Sequence, residues 1–252
     1  MDDRIFGTNP VYEALKSGRE IDKIFILEGA RHSRLAEICS LAKKRGIHYT
    51  NVNRKKLDEL SEGGNHQGVL AFAAMHSYAS VEDILETAQK RGEAPFILIA
   101  EGLKDPHNLG SIIRCANAAG AHGVIIPKNR SVGLNSTVAK VSAGAVEYTH
   151  VARVTNIGAT IDKLKDKGLW IAGTALEGST LHTEADLTGS LAIVIGSEGE
   201  GLSRLTREKC DFLVKIPMLG QAESLNASVA AGILLYESVR QRQLKQGKDL
   251  QG

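Results

Sequence analysis

Apolar positions along this 252-residue chain follow two rhythms, and the change falls near residue 95. Over residues 1–75 short apolar runs are separated by helix-spaced segments. Asn9-Pro10 reads as a cap followed by proline at the first helical position, opening a helix that ends near Gly18. Runs at 23–27, 47–52 and 68–73 predict strands, with helices over 33–45 and 54–60 between them. The alternation makes this a small α/β domain. Residues 76–94 read as a linker with one helix: Ser80 caps it, Val81, Ile84, Leu85 and Ala88 form its apolar face, and Gly92 ends it. Across residues 95–252 the strands change character. The runs 95–100, 123–126, 169–173 and 191–195 are almost continuously apolar. Strands without alternation are covered on both faces, so this second α/β domain is expected to hold a parallel sheet. Ile157, Ile161 and Leu164 predict a helix over 156–167. A long last helix is predicted from Ser224 to about residue 243, with Ala227, Ala230, Ala231 and Leu234 on one face.

Composition narrows the class. Apolar residues make up 42% and charged residues 24%, enough for a sizeable core in a water-soluble protein. No run of about 18 apolar residues predicts a membrane span, and the opening Met1-Asp2-Asp3 is no apolar leader, so a cytoplasmic protein is expected. Cys39, Cys115 and Cys210 are dispersed, form no C-x-x-C pair and read as buried free thiols, with no metal site expected. Neither G-x-G-x-x-G nor G-x-x-x-x-G-K-[ST] occurs, so dinucleotide and NTP binding lack their fingerprints. The net charge of +2 conceals a skew. Between residues 31 and 56, Arg31, Arg34, Lys43, Lys44, Arg45, Arg54, Lys55 and Lys56 face a single acid, Glu37. Such an excess is either a solvated helix face or a surface that meets RNA phosphates. With 4% aromatic residues, phosphate and ribose contacts are expected to outweigh base stacking.

Three tracts of the second domain place a polar or glycine-rich turn between an apolar run and a helical pattern, where open α/β sheets collect ligands. In 105–114 (Asp-Pro-His-Asn-Leu-Gly-Ser-Ile-Ile-Arg), Asn108 can cap a helix. Arg114 lies on that helix among Ile112, Ile113, Cys115 and Ala116, where a guanidinium needs a carboxylate or phosphate partner. In 193–203 (Ile-Val-Ile-Gly-Ser-Glu-Gly-Glu-Gly-Leu-Ser), Gly196 and its fellow glycines allow a ligand close to the backbone. Glu198 and Glu200 repel a naked phosphate there and suit a ligand that is neutral or cationic. In 216–228 (Ile-Pro-Met-Leu-Gly-Gln-Ala-Glu-Ser-Leu-Asn-Ala-Ser), Ser224 reads as the cap of the last helix, with Asn226 at its second position. Ile216, Met218 and Leu225 offer apolar walls suited to an adenine ring.

The order and wording of these tracts resemble the three motifs of the SpoU (TrmH-like) RNA ribose 2′-O-methyltransferases. The first 75 residues look like the small L30e-like RNA-binding domain that many members carry. The resemblance implies a trefoil-knotted, parallel-sheet methyltransferase domain and a homodimer packed through its knots, with no membrane partner. It implies S-adenosylmethionine as cofactor, held near Thr174, Gly196, Ile216 and Leu225. It further implies a catalytic set of Asn108, Arg114, Glu198, Ser224 and Asn226 that methylates a ribose 2′-hydroxyl, most closely a guanosine in the peptidyl-transferase loop of 23S rRNA. In the family Arg114 is the candidate acceptor of the hydroxyl proton. A guanidinium that stays protonated near neutrality is better suited to holding the neighbouring phosphate and stabilising alkoxide character, and the sequence leaves both roles open. The rival readings are a tRNA ribose methyltransferase, a drug-resistance methylase acting elsewhere on 23S rRNA, a non-catalytic RNA-binding ribosome-assembly factor, and a nucleotide-phosphate enzyme.

Overall fold

The computed structural model describes residues 4–30, 33–73, 77–175 and 180–247. The chain divides into two units, Met1–Ser77 with Gly133–Ser136, and Tyr78–Val132 with Thr137–Gly252. The first unit runs through β1 (Arg4–Phe6), α1 (Thr8–Lys16), β2 (Ile21–Leu27), α2 (Ser33–Lys44), β3 (Tyr49–Val52), α3 (Arg54–Ser61) and β4 (Val69–Ala73). Its sheet has the order β1-β4-β2-β3, with β2 and β3 parallel and the other pairs antiparallel. Val11 and Leu15 of α1 and Leu35 and Ile38 of α2 share one core with Ile24, Ile26, Val69 and Ala71. The intervening Phe25 and Phe72 therefore point to the opposite face, where their rings meet edge to face at 5.9 Å.

The start of α1 differs from the sequence expectation. Gly7, at φ +94°, precedes the helix, and Thr8 donates through its N–H and hydroxyl to Gln67 Oε1 at 3.3 and 3.2 Å. A residue 59 positions away thus stands in for the expected Asn9 cap. Pro10 is the third helical residue, still within the first turn, where its missing N–H breaks no helical hydrogen bond.

The second unit opens with α4 (Val81–Arg91), inside the stretch expected as a linker. Its capping box is complete: Ser80 Oγ accepts from Asp83 N–H at 3.0 Å, and Asp83 Oδ2 accepts from Ser80 N–H at 2.7 Å. The helix packs into the core, with Ile84 fully buried against a cluster containing Ile97 and Ile99. There follow β5 (Phe96–Ala100), α5 (Pro106–Ala118), β6 (Gly123–Pro127), α6 (Ser136–Val141), β7 (His150–Val154), α7 (Ile157–Asp166), β8 (Trp170–Thr174), β9 (Thr180–Leu181), β10 (Leu191–Ile195), α8 (Arg204–Lys209), β11 (Phe212–Lys215) and α9 (Ala227–Lys245). The sheet is parallel throughout, in the order β7-β6-β5-β10-β8-β11-β9.

Both β5 and β10 are buried at every position, as their unbroken apolar runs predict. Ile97, Ile99, Ala192 and Val194 face the core shared with α4 and α7. Phe96 alternates to the other side, where Arg242 of α9 lies over its ring at 4.3 Å. Strands β1, β7, β9 and β11, helices α6 and α8, and a 3-10 turn at Ala145–Glu147 were not expected from the sequence. Strands β1, β9 and β11 are short, β7 is interrupted by Arg153, and α6 and α8 have six residues each, too few for an apolar periodicity. No described helix is long and apolar enough to cross a membrane.

The strand order carries the functional consequence. The chain steps outward from β5 to β6 and β7, then crosses to β8, and β10 later fills the gap between β5 and β8. The order reverses at β5 and β10, and the loops leaving their carboxyl ends are the first two motif tracts.

Candidate active site

The loop after β10 folds back on itself: Ser197 and Gly201 exchange backbone hydrogen bonds at 3.2 and 2.9 Å. A Cβ on Gly196 would lie 2.2 Å from the Gly201 carbonyl carbon, so no side chain fits there. Glu101, the residue after β5, ties this loop to its neighbour. Its carboxylate accepts from Ser203 N–H (3.0 Å), Ser203 Oγ (2.9 Å) and Thr206 Oγ1 (2.7 Å), which holds the start of α8.

Glu198 is the meeting point of the three tracts. Its Oε1 accepts from Asn108 Nδ2 at 3.0 Å, Asn226 Nδ2 at 2.6 Å and Ala227 N–H at 3.2 Å. Asn226 Nδ2 also donates to Asn108 Oδ1 at 2.8 Å. The three side chains come from α5, the 196–203 loop and the start of α9, separated by 90 and 28 positions. Two sequence expectations are corrected at this point. Asn226, not Ser224, caps the last helix, since its Oδ1 accepts from Ser228 N–H at 2.9 Å and Val229 N–H at 3.3 Å. Asp105 caps α5, with Pro106 first in the helix, and this frees Asn108 for Glu198. Both amides are therefore spent on orientation: one carboxylate oxygen takes three donors and the other makes no hydrogen bond to a described residue.

Beside this network lies a cavity of about 490 Å³ at the carboxyl ends of β8, β10 and β11, within the ~300–1,000 Å³ usual for small-molecule clefts. Thr174, Gly196, Ile216 and Leu225 all line it, as do Glu198 and Ser224. Met218 adds an apolar wall, and Glu200, Glu223 and Arg207 add charge. Arg207 escaped the sequence reading because it sits in a short, unremarked helix with other cations.

Arg114 is placed differently. It is exposed on α5, and its guanidinium makes no hydrogen bond or ion pair with a described residue, so the apolar setting expected around it is absent within one chain. It lies six residues beyond Asn108, about 120° around the helix, and does not join the Glu198 network.

The basic cluster of the first unit is also split. Because α2 runs back between parallel β2 and β3, Arg34 and the run 54–56 stand at the carboxyl ends of those strands, and residues 43–45 at their amino ends. Much of the charge is engaged within the unit. Arg34 bonds Glu37 at 3.0 Å and stacks on Tyr12, Lys56 bonds Glu59 at 3.0 Å, and Arg54 approaches Asp58 at 3.9 Å. Arg45 donates to the carbonyls of Leu15, Gly18 and Arg19, closing the end of α1. Lys43, Lys44 and Lys55 keep exposed ammonium groups with no described partner. Arg31 lies outside the described residues. The three thiols are half-buried rather than buried, and the Cys210 thiol is pushed up to about 12, chiefly by burial, so it stays protonated.

Residues 95–236 match the sequence model of the SpoU rRNA Methylase family, and residues 4–79 match that described as RNA 2′-O ribose methyltransferase substrate binding. This chain is a SpoU family member. A Bacillus subtilis (strain 168) protein described as a TrmH family tRNA/rRNA methyltransferase, YacO, is 49% identical over 240 residues, which cover 95% of this chain and 96% of that one. Among solved structures, the SpoU methyltransferase AviRb from Streptomyces viridochromogenes, crystallised with AdoMet, superposes with a TM-score of 0.60 at 26% identity, covering 94% of this chain and 89% of that one. An RNA 2′-O ribose methyltransferase structure gives a TM-score of 0.54 at 30% identity, with 94% and 88% covered. These SpoU relatives span both units, as the sequence resemblance implied.

Proposed function

We propose that this SpoU enzyme transfers a methyl group from S-adenosylmethionine to a ribose 2′-hydroxyl of RNA, with a guanosine in the peptidyl-transferase loop of 23S rRNA as its target. The observation that carries the reading is the convergence of Asn108, Glu198 and Asn226 beside the cavity. The cavity suits the cofactor chemically. Ile216, Met218 and Leu225 give an apolar wall for adenine, and Glu198, Glu200 and Glu223 favour a ligand that carries positive charge and no phosphate.

Bound there, S-adenosylmethionine supplies an electrophilic methyl group on a positively charged sulfur. The chain must then bind the ribose, orient its 2′-oxygen and manage one proton. Glu198 is held by three donors, so its carboxylate is fixed before substrate arrives, which is the preorganisation that stabilises developing charge without reorganisation. Ser224 lines the same cavity with its hydroxyl unengaged by described residues and can hydrogen-bond the incoming sugar. Arg114 would hold the phosphate beside the target ribose, because a protonated guanidinium is a poor base and a good phosphate fork.

The homodimer and the trefoil knot belong to the same proposal. Val229 and Tyr236 of α9 are 49% and 52% exposed, and with Ile233 they make a stripe at i, i+4 and i+7 that suits burial against a second copy. Arg114 on the adjoining α5 would then serve a site completed by both protomers. A double V229D/Y236D variant should sediment as a monomer and lose methyl transfer. A monomeric wild type would overturn the dimer.

Incubation of 23S rRNA and tRNA with methyl-labelled S-adenosylmethionine, followed by alkaline hydrolysis, tests the function itself. Ribose methylation blocks the 2′-oxygen that alkali needs, so the label should appear in an alkali-resistant dinucleotide from 23S rRNA. Label confined to tRNA would move the substrate, and label lost from the resistant fraction would remove the ribose.

A further inference from the structure

Arg207 is the one cation among the described residues lining the cavity, where Glu198, Glu200 and Glu223 supply three carboxylates. Its neighbours on α8 have partners: Arg204 bonds Glu208 at 2.7 Å, and Lys209 pairs with Asp162. The Arg207 guanidinium has none among the described residues. Arg207 is exposed at the cavity, so its guanidinium is hydrated and open to an anion that enters, with which it can form charge-assisted hydrogen bonds. The helix that carries it is anchored, since Glu101 holds the Ser203 cap and Thr206 through three hydrogen bonds. Arg207 is therefore presented from a fixed start rather than from a free loop.

Resting on the cofactor reading above, we infer that Arg207 binds the α-carboxylate of S-adenosylmethionine. That ligand carries two positive groups, a sulfonium and an ammonium, and one negative group. The cavity mirrors this, with acids for the cations and a single guanidinium for the carboxylate. Without Arg207 every charged group among the described lining residues would be an acid, and like charges repel. The assignment makes Arg207 a cofactor-specificity residue: it distinguishes ligands that keep the amino-acid carboxylate from adenosine thioethers that lack it.

Calorimetric titration of the full chain tests this without reading activity. The ligands are S-adenosylmethionine, its decarboxylated analogue and 5′-methylthioadenosine, bound to wild type, R207A and R207K. R207A should weaken S-adenosylmethionine by roughly tenfold or more, the scale of one charge-assisted hydrogen bond, and leave both carboxylate-free ligands within about twofold. R207K should fall between, since it keeps the charge but loses the fork. Equal weakening of all three ligands by R207A would overturn the assignment, because it would report a damaged pocket. So would unchanged S-adenosylmethionine affinity, which together with a raised KM for RNA would give Arg207 to a substrate phosphate. A wild type that binds no S-adenosylmethionine would overturn the cofactor reading itself, an outcome distinct from a defect confined to R207A.

Discussion

The basic cluster of the first unit and the cavity rim of the second use their charged side chains differently. In the first, several cations are drawn into the fold: Arg45 closes α1 and Arg34 and Lys56 take acidic neighbours, while Lys43, Lys44 and Lys55 have no described partner. In the second, the sheet ends around the cavity keep Arg207 and one oxygen of Glu198 without described partners, beside amides locked in one orientation, and Arg114 stands exposed elsewhere on α5. The sheets differ accordingly. Burial alternates along β2, whereas β5 and β10 are buried throughout, and a sheet covered on both faces leaves its carboxyl-terminal edge as the place where loops can gather polar groups. Counting charges along a sequence does not distinguish a group that stabilises the fold from one kept for a ligand.

The sharpest way to break this contrast is at Glu198. E198Q replaces the charged acceptor of three donors with an amide, and single-turnover methyl transfer should fall about 10²- to 10³-fold, the scale of losing a preorganised electrostatic group. A rate within a few-fold of wild type would reduce the network to a structural clasp. R114A comes next. Because Arg114 is exposed and has no partner among the described residues, the variant should keep the fold and cofactor affinity and lose about 10²-fold in transfer, with R114K a poor rescue. Unfolding of R114A in a thermal melt would show that its exposure in one chain misleads.

Smaller effects separate the two fates of a cation in the first unit. R45A should lower stability by about 1–2 kcal/mol, since three carbonyls at the end of α1 lose their donor, while RNA affinity stays unchanged. K55A should do the reverse, leaving the melt alone and reducing the salt dependence of RNA binding by about one phosphate contact. Exchanged outcomes would mean that hydrogen-bond partners do not predict role in this unit.

The smallest effect lies at the amino end of β5. His122 Nδ1 accepts from Phe96 N–H at 3.0 Å, which leaves the Nε2 proton for Glu93 at 3.0 Å. Burial lowers its pKa below the ordinary 6.5 and outweighs the opposite pull of Glu93. The unfolded chain therefore takes up this proton at higher pH than the folded one. The contribution to stability is complete above about pH 6.5 and is lost as pH falls through the lower, folded value. Melting temperature should decline between pH 7.5 and 5.5, and H122N, whose Oδ1 can replace the Nδ1 acceptor, should flatten that decline. An unchanged slope in H122N would assign the pH dependence to another group.

Local signals were legible wherever the physics is local. Ser80 and Asp83 close a capping box that four consecutive residues specify, and the runs at 95–100 and 191–195 are apolar enough to mark doubly covered strands. The caps at Asn9 and Ser224 went astray because several consecutive residues could have capped either helix. Gln67 decided one from 59 positions away, and the Glu198 contact fixed Asn226 at the other. The linker misled because its helix is amphipathic by itself, and the residues that bury Ile84 come later in the chain.

By itself the sequence determined the two α/β units, the parallel character of the second sheet and the three tracts that carry the family likeness, because side-chain periodicity and turn chemistry are written within a dozen residues. Only the tertiary structure decided that β10 inserts between β5 and β8, that one oxygen of Glu198 gathers Asn108 and Asn226, that Arg45 is spent on a helix end, and that Arg207 lines the cavity with no partner among the described residues. Those outcomes depend on which groups compete for the same donor or the same space after the chain has closed, and that competition has no address in the linear order of residues.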